Sequence, residues 1–217
     1  AHWLNRNTRR GSKRNIVAHY DLGNEFFKLF LDPTMTYSAG IFTSEESSLE
    51  EASIEKMDTL CRKLNLTPDD HLLEIGTGWG GMAVYAAKNY GCKVTTTTIS
   101  NEQHAWAEDL IRKEGLDDRI TLLKKDYRDL TGQFDKVVSI EMIEAVGDKF
   151  YNTYFGAISR LLKPDGLAAI QAIIISDQHY DQARKSIDFI KRFIFPGSCI
   201  PSINAIISSV TAATDMR

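Results

Sequence analysis

Cysteine is scarce. Cys61, Cys92 and Cys199 are the only three in 217 residues, they lie far apart, and none belongs to a C-x-x-C pair. That spacing signals neither a disulfide framework nor a zinc site, so a reducing, cytoplasmic setting without a metal centre is expected. Long apolar runs are also missing. No stretch approaches the roughly 18 residues of a membrane span, and the first residues lack a signal-peptide core, so any membrane contact is expected to be peripheral. Excess positive charge is absent too. With 26 Lys and Arg against 29 Asp and Glu, the formal net charge is -3. Binding to nucleic-acid phosphates needs a basic surface, so no nucleic-acid partner is expected.

What is present fits a globular chain able to bury a sizeable core, with 43% hydrophobic and 25% charged residues. Charge is uneven at one place. Arg6, Arg9, Arg10, Lys13 and Arg14 crowd the start, as a solvated tail or as an arm for phosphates and acidic lipid. Residues 1–47 read as this basic arm followed by a helical lid, and 48–217 as the core. In the lid, Phe26, Phe27, Leu29, Phe30 and Leu31 lie close together, a density that usually means packing.

From Ser48 the pattern is a capped helix. Glu51 completes a capping box, and Leu49, Ala52, Met57, Leu60, Cys61 and Leu64 form an apolar face. Strands and helices then alternate. Strands are expected over His71–Ile75, Cys92–Ile99, Ile120–Lys124, Lys136–Ile140 and Leu167–Ile175. Helices are expected over Gly80–Tyr90, Asn101–Glu114 and Asp148–Leu162, the last followed by a turn at Pro164-Asp165-Gly166. Such alternation implies an α/β fold, a parallel Rossmann-like sheet with helices on both faces. Near the end, SIDFIKRFIFPGS reads first as a core helix, and second as a cover for an acyl tunnel.

The first strand runs into Gly76, Gly78, Gly80 and Gly81. Glycine sacrifices chain entropy and packing, so the turn must need bare backbone, as it does where a ligand sits beyond the carboxyl ends of parallel strands. A triphosphate loop would need Gly-Lys-Ser or Gly-Lys-Thr, which is absent, and a dinucleotide fold would prefer G-x-G-x-x-G over the G-x-G-x-G found here. Glu74 just before the loop suits a ligand carrying positive charge better than a pyrophosphate. S-adenosylmethionine, with a sulfonium and an ammonium, has that charge.

Five blocks, AHYDLGNEFFKLFLDPTMTYSAGIF, LLEIGTGWGG, TTTTISNEQ, SIEMIEAVG and FIFPGSCIPS, together resemble the cyclopropane-fatty-acyl-phospholipid synthases and mycolic acid cyclopropane synthases. The resemblance runs from about Asn15 to the end. It implies the class I methyltransferase fold and S-adenosylmethionine as cofactor. It also implies cofactor contacts at Tyr37 and Ser38 of the lid, at Glu74, Gly76, Gly78 and Gly80, at Thr98, Ile99 and Gln103 near the ribose, and at Tyr127 beside the adenine. The family often has aspartate where this chain has Glu74, cysteine where it has Ala39, and histidine where it has Gln171. Family chains continue past the position of Arg217, so the core is expected to be incomplete at its C-terminus.

The implied reaction adds a methyl to an isolated cis double bond and then closes a ring. The double bond is a poor nucleophile and its addition leaves a positive carbon, so the site must be dry and must align the reactants. A base must then remove a proton from the added methyl. The resemblance implies a bound bicarbonate ion in that role, held by Glu144, Gln171, the backbone of Ile173 and the backbone of Ala39, with Glu144 accepting the bicarbonate hydroxyl. Glu141 is expected on the cofactor side or in the fold. The implied substrate is unsaturated phospholipid at a membrane surface, for a chain that is peripherally membrane-associated and possibly homodimeric. A small-molecule N- or C-methyltransferase and a cofactor- or lipid-binding protein without turnover stay open beside it.

Overall fold

The computed structural model of the chain describes residues 7, 8, 11, 12, 15 and 23–216. The basic run at Arg6, Arg9, Arg10, Lys13 and Arg14 lies outside them. The α-helices whose bounds lie among the described residues are α1 (Asn24–Phe27), α2 (Leu49–Lys63), α3 (Gly81–Tyr90), α4 (Asn101–Lys113), α5 (Ile143–Val146), α6 (Tyr151–Leu161), α7 (Asp177–Lys185) and α8 (Ile203–Ala213). Five parallel strands, β1 (His71–Ile75), β2 (Lys93–Thr97), β3 (Ile120–Leu123), β4 (Phe134–Ile140) and β5 (Leu162–Gln171), form one sheet in the order β3-β2-β1-β4-β5. The winding direction reverses between β1 and β4. That switch point opens a crevice at the carboxyl ends of the two strands.

Strand alternation sorts the core onto two faces. Leu72 packs on one side with Met57, Leu60, Cys61, Met82, Ala83 and Val94, under α2 and α3. Leu73 and Ile75 pack on the other with Val137, Tyr154, Phe155 and Ile158, under α6. By the same period of two, Glu74 falls on the α2 side, directly opposite Thr96 in register. All three cysteines are free and buried.

Local chemistry explains where the elements begin and end. Ser48 Oγ accepts from the Glu51 N–H at 3.2 Å while Glu51 Oε2 accepts from the Ser48 N–H at 2.8 Å, the reciprocal cap expected for α2. Gly115, with φ 67, stands just beyond α4 in the left-handed region that stops a helix.

Three expectations need correction. The turn at Pro164–Gly166 does not precede β5 but lies inside it, as residues 163–166 bulge out between the Phe134↔Leu162 and Lys136↔Leu167 pairs. A Cβ on Gly166 would come within 2.8 Å of the Asp135 carbonyl oxygen, so glycine lets the bulge close against β4. Ladder pairing ends at Gln171, which leaves residues 172–175 off the sheet.

The second correction concerns the SIDFIKRFIFPGS stretch, which is not a core helix. It forms a short π-helical turn, Ile190–Ile194, with Phe189 66% and Phe193 62% exposed while Lys191 is buried. The Lys191 ammonium donates to the carbonyls of Ala183 and Ser186 at the end of α7. The Ala183 carbonyl also accepts from the N–H and hydroxyl of the cap residue Ser186, so the cation adds a further donor at the helix end while the apolar side turns outward.

Third, the lid aromatics divide. Phe27 is buried against Trp79, whereas Phe26, Leu29 and Phe30 are exposed. Among the described residues no helix is long and apolar enough to cross a membrane.

Candidate functional site

The glycine turn has two separate needs for bare backbone. Gly76, Gly78 and Gly80 have φ of 102, 52 and 95, a region that costs other residues about 1–2 kcal/mol. Gly81 is required for close approach, since a Cβ there would stand 3.0 Å from the Thr34 carbonyl oxygen of the lid. A Cβ on Gly78 would meet nothing within 4 Å. The turn is therefore packed on its Gly80 and Gly81 side and open at Gly78, where a ligand can reach the backbone beside the first turn of α3.

Glu74 is 2% exposed, and its Oε2 accepts from Thr96 Oγ1 at 2.6 Å. Thr96 Oγ1 and Thr77 Oγ1 are 2.7 Å apart, so the carboxyl belongs to a buried chain of hydroxyls between β1 and β2. Burial pushes Glu74 up to about 8. It is thus a mostly neutral carboxyl behind the turn, and the anion foreseen at the ligand surface is not what the fold presents. Thr98 and Gln103 are buried and bonded to each other, Thr98 Oγ1 donating to Gln103 Oε1 at 3.0 Å, with half-buried Ile99 between them in sequence. Tyr127 stands edge-on to Tyr154 at 5.6 Å under the Arg128 guanidinium, and burial pushes its phenol up to about 12.

The lid is fastened to this turn by α1. Trp79 Nε1 donates to Asn24 Oδ1 at 2.7 Å, and the Phe27 and Trp79 rings lie 4.8 Å apart. Tyr37 joins the cluster through Phe27 and Phe30. Its phenol is raised by burial and by the nearby Glu141 charge. Ser38 accepts from the Lys56 ammonium at 2.5 Å.

Beyond the lid, four of the foreseen residues meet around two glutamates at the ends of β4 and β5. Glu141 Oε1 accepts from the Ala39 N–H at 2.9 Å and from Gln171 Nε2 at 3.0 Å, and Gln171 Nε2 also reaches the Ala39 carbonyl at 3.2 Å. Glu141 holds this position with φ 48, a conformation that a non-glycine residue adopts at a cost. Glu144 Oε1 accepts from the Ile173 N–H at 2.5 Å. Its Oε2 is buried without a hydrogen-bond partner among the described residues. Burial and the neighbouring Glu141 raise the Glu144 carboxyl, despite the bond from Ile173, to about 7.

Lys56 escaped the sequence reading, as did the clamp formed by Glu141. The signal for Lys56 was present, because it stands four residues from both Ala52 and Leu60 and so on the apolar face of α2. A hollow bounded by Thr43, Ser44, Glu46, Ser47, Glu51, Ile54 and Glu55 shares no residue with the site. Among the described residues no group of His, Cys, Asp and Glu is arranged to hold a metal.

The family model described as mycolic acid cyclopropane synthetase matches residues 7–216. The chain belongs to this family. Cyclopropane-fatty-acyl-phospholipid synthase of Escherichia coli is 44% identical over 193 residues, which cover 88% of this chain and 48% of that protein. Tuberculostearic acid methyltransferase of Mycobacterium tuberculosis is 39% identical over 217 residues, 97% of this chain and 51% of that one. The chain spans about half the length of these curated relatives. A mycolic acid cyclopropane synthase solved with SAH and CTAB matches with a TM-score of 0.85 at 31% identity, over 93% of this chain and 74% of that one. The sheet is that of the class I S-adenosylmethionine-dependent methyltransferases, and coclaurine N-methyltransferase, at 23% identity and a TM-score of 0.72, shares the fold alone.

Proposed function

We propose that the intact protein transfers a methylene unit from S-adenosylmethionine to a cis double bond of unsaturated phospholipid acyl chains, closing a cyclopropane ring at the cytoplasmic surface of a membrane. The observation that carries this reading is the Glu144 carboxyl near the ends of β4 and β5, buried with one oxygen unpartnered among the described residues. A buried acceptor left without a partner costs about 1–3 kcal/mol, and a family member that works through a bound bicarbonate has a partner to offer it. The cofactor supplies an electrophilic methyl whose C–S pair leaves with sulfur. A bicarbonate ion would supply the base for the proton of that methyl.

The residues present leave room for the cofactor at Gly78 and offer the ion one acceptor unpartnered among the described residues, Glu144 Oε2. Open backbone at Gly78 leaves room for the amino-acid end of the cofactor, and Tyr37 of the lid reaches the turn through Phe27, which packs on Trp79. Glu144 Oε2 would accept the bicarbonate hydroxyl. The Ile173 N–H, foreseen on the ion, is held by Glu144 Oε1 here, and the Ala39 N–H and Gln171 amide are held by Glu141. Those three donors hold the two glutamates in place. Ile173 and Ile174, about half exposed beside Glu144, give an acyl chain an apolar surface on which to lie.

The test uses the intact protein with S-adenosylmethionine and liposomes of unsaturated phospholipid. Acyl chains should gain one CH2 each and lose their olefinic proton signals, with ring protons appearing in their place. Branched methyl signals without ring protons would replace ring closure by simple methylation of the double bond. Methylation of an amine with unchanged lipid would select a small-molecule methyltransferase, and cofactor binding without any product a protein that does not turn over.

A further inference from the structure

Lys56 is 1% exposed, yet its ammonium makes a single hydrogen bond among the described residues, to Ser38 Oγ at 2.5 Å. Burying an ammonium is costly unless something nearby favours its charge. Glu141 and Asp32 do so at longer range, with the buried and mostly neutral Glu74 contributing least. Each already has closer partners. Asp32 takes Ser53 Oγ and the Thr34 N–H, Glu74 takes Thr96 Oγ1, and Glu141 takes Ala39 and Gln171. Among the described residues, the hydrogen-bond partner of the ammonium is the lid hydroxyl.

That contact has a directional consequence. An ammonium has three donors and no lone pair, so Ser38 Oγ must accept from it. The Ser38 O–H is then left to donate elsewhere, and no acceptor takes it among the described residues. An outward hydroxyl proton backed by a buried positive charge is a site for an anion. On the reading that S-adenosylmethionine lies between the Gly78 turn and the lid, the anionic part of that ligand is the carboxylate of its amino-acid end.

We propose that Lys56 is a positioning residue for the cofactor's carboxylate: by occupying the lone-pair side of Ser38 Oγ, it turns the Ser38 O–H outward as a donor to that group. This rests on the cofactor reading above and adds to it a role for a residue on α2, a helix otherwise devoted to the core.

The experiment compares two ligands by calorimetry on the intact protein: S-adenosylhomocysteine, which has the carboxylate, and 5′-methylthioadenosine, which lacks the amino-acid end. Lys56→Met should weaken S-adenosylhomocysteine about tenfold while leaving methylthioadenosine within about twofold. Ser38→Ala should show the same selectivity, and the double variant should be no weaker than either single one, because both changes remove one interaction. Methylthioadenosine binding also reports that the fold is intact. Equal weakening of both ligands, additive losses, or undiminished S-adenosylhomocysteine binding would overturn the role of Lys56. If Lys56→Met does not fold, Ser38→Ala decides alone, a loss confined to S-adenosylhomocysteine supporting the proposal and any other result ending it. Wild-type protein that binds neither ligand removes the cofactor reading itself, and this role with it.

Discussion

Glu144 and Glu141 stand three residues apart at the end of one strand, yet the structure gives them different work. Glu141 has Ala39 and Gln171 on one oxygen and joins the lid to β5. Glu144 keeps an oxygen in reserve. A carboxyl near 7 changes charge in the range where the enzyme would act, being neutral below that value and ionised above it. Since the ionised form is the stronger acceptor for the bicarbonate hydroxyl, kcat/KM of the intact protein should rise with pH through about 7. Glu144→Gln should lower ring formation about 100-fold or more and abolish that limb, with S-adenosylhomocysteine affinity within about twofold. A variant of unchanged rate would remove Glu144 from the reaction. Its candidacy was legible from the family blocks, but its unpartnered oxygen was not, because that depends on Ile173, a residue from a different strand end.

At the scale of elements, what could be read in advance was whatever depends on near neighbours in the chain. The α2 cap needs only Ser48 and Glu51, and both bonds are present. Ser48→Ala should therefore destabilise the protein by about 1 kcal/mol in denaturant melts, and a shift indistinguishable from zero would make the cap ornamental. β1 begins and ends where the alternation places it. β5 does not, because Pro164 and Gly166 look like a turn locally while pairing with β4 continues on both sides of them. The Lys191 segment misleads for a related reason. Its apolar residues suggest burial until the carbonyls at the end of α7 enter, and those claim the cation instead.

For the molecule as a whole, Glu74 is the clearest burden on stability. An ordinary glutamate in the unfolded chain ionises near 4.5, whereas the buried one holds its proton to about 8. Between those values the folded state binds more protons than the unfolded state, so stability falls as pH rises, and the loss is complete above the folded value. Glu74→Gln lacks this proton, so its melting temperature relative to wild type should increase between about pH 5 and about pH 8. A difference that stays flat across that range would show that Glu74 is ionised in the fold. The sequence by itself determined the alternating α/β core, the strained glycine turn and the helix cap, since each follows from periodicity or from residues a few positions apart. Only the tertiary structure decided that Lys56 is buried beneath the lid, that Glu74 hides behind the turn, and that Glu141 and Glu144 divide three donors between them. Those outcomes turn on desolvation and on partners brought from distant parts of the chain, and no local pattern encodes how a charged group will be surrounded once the layers close.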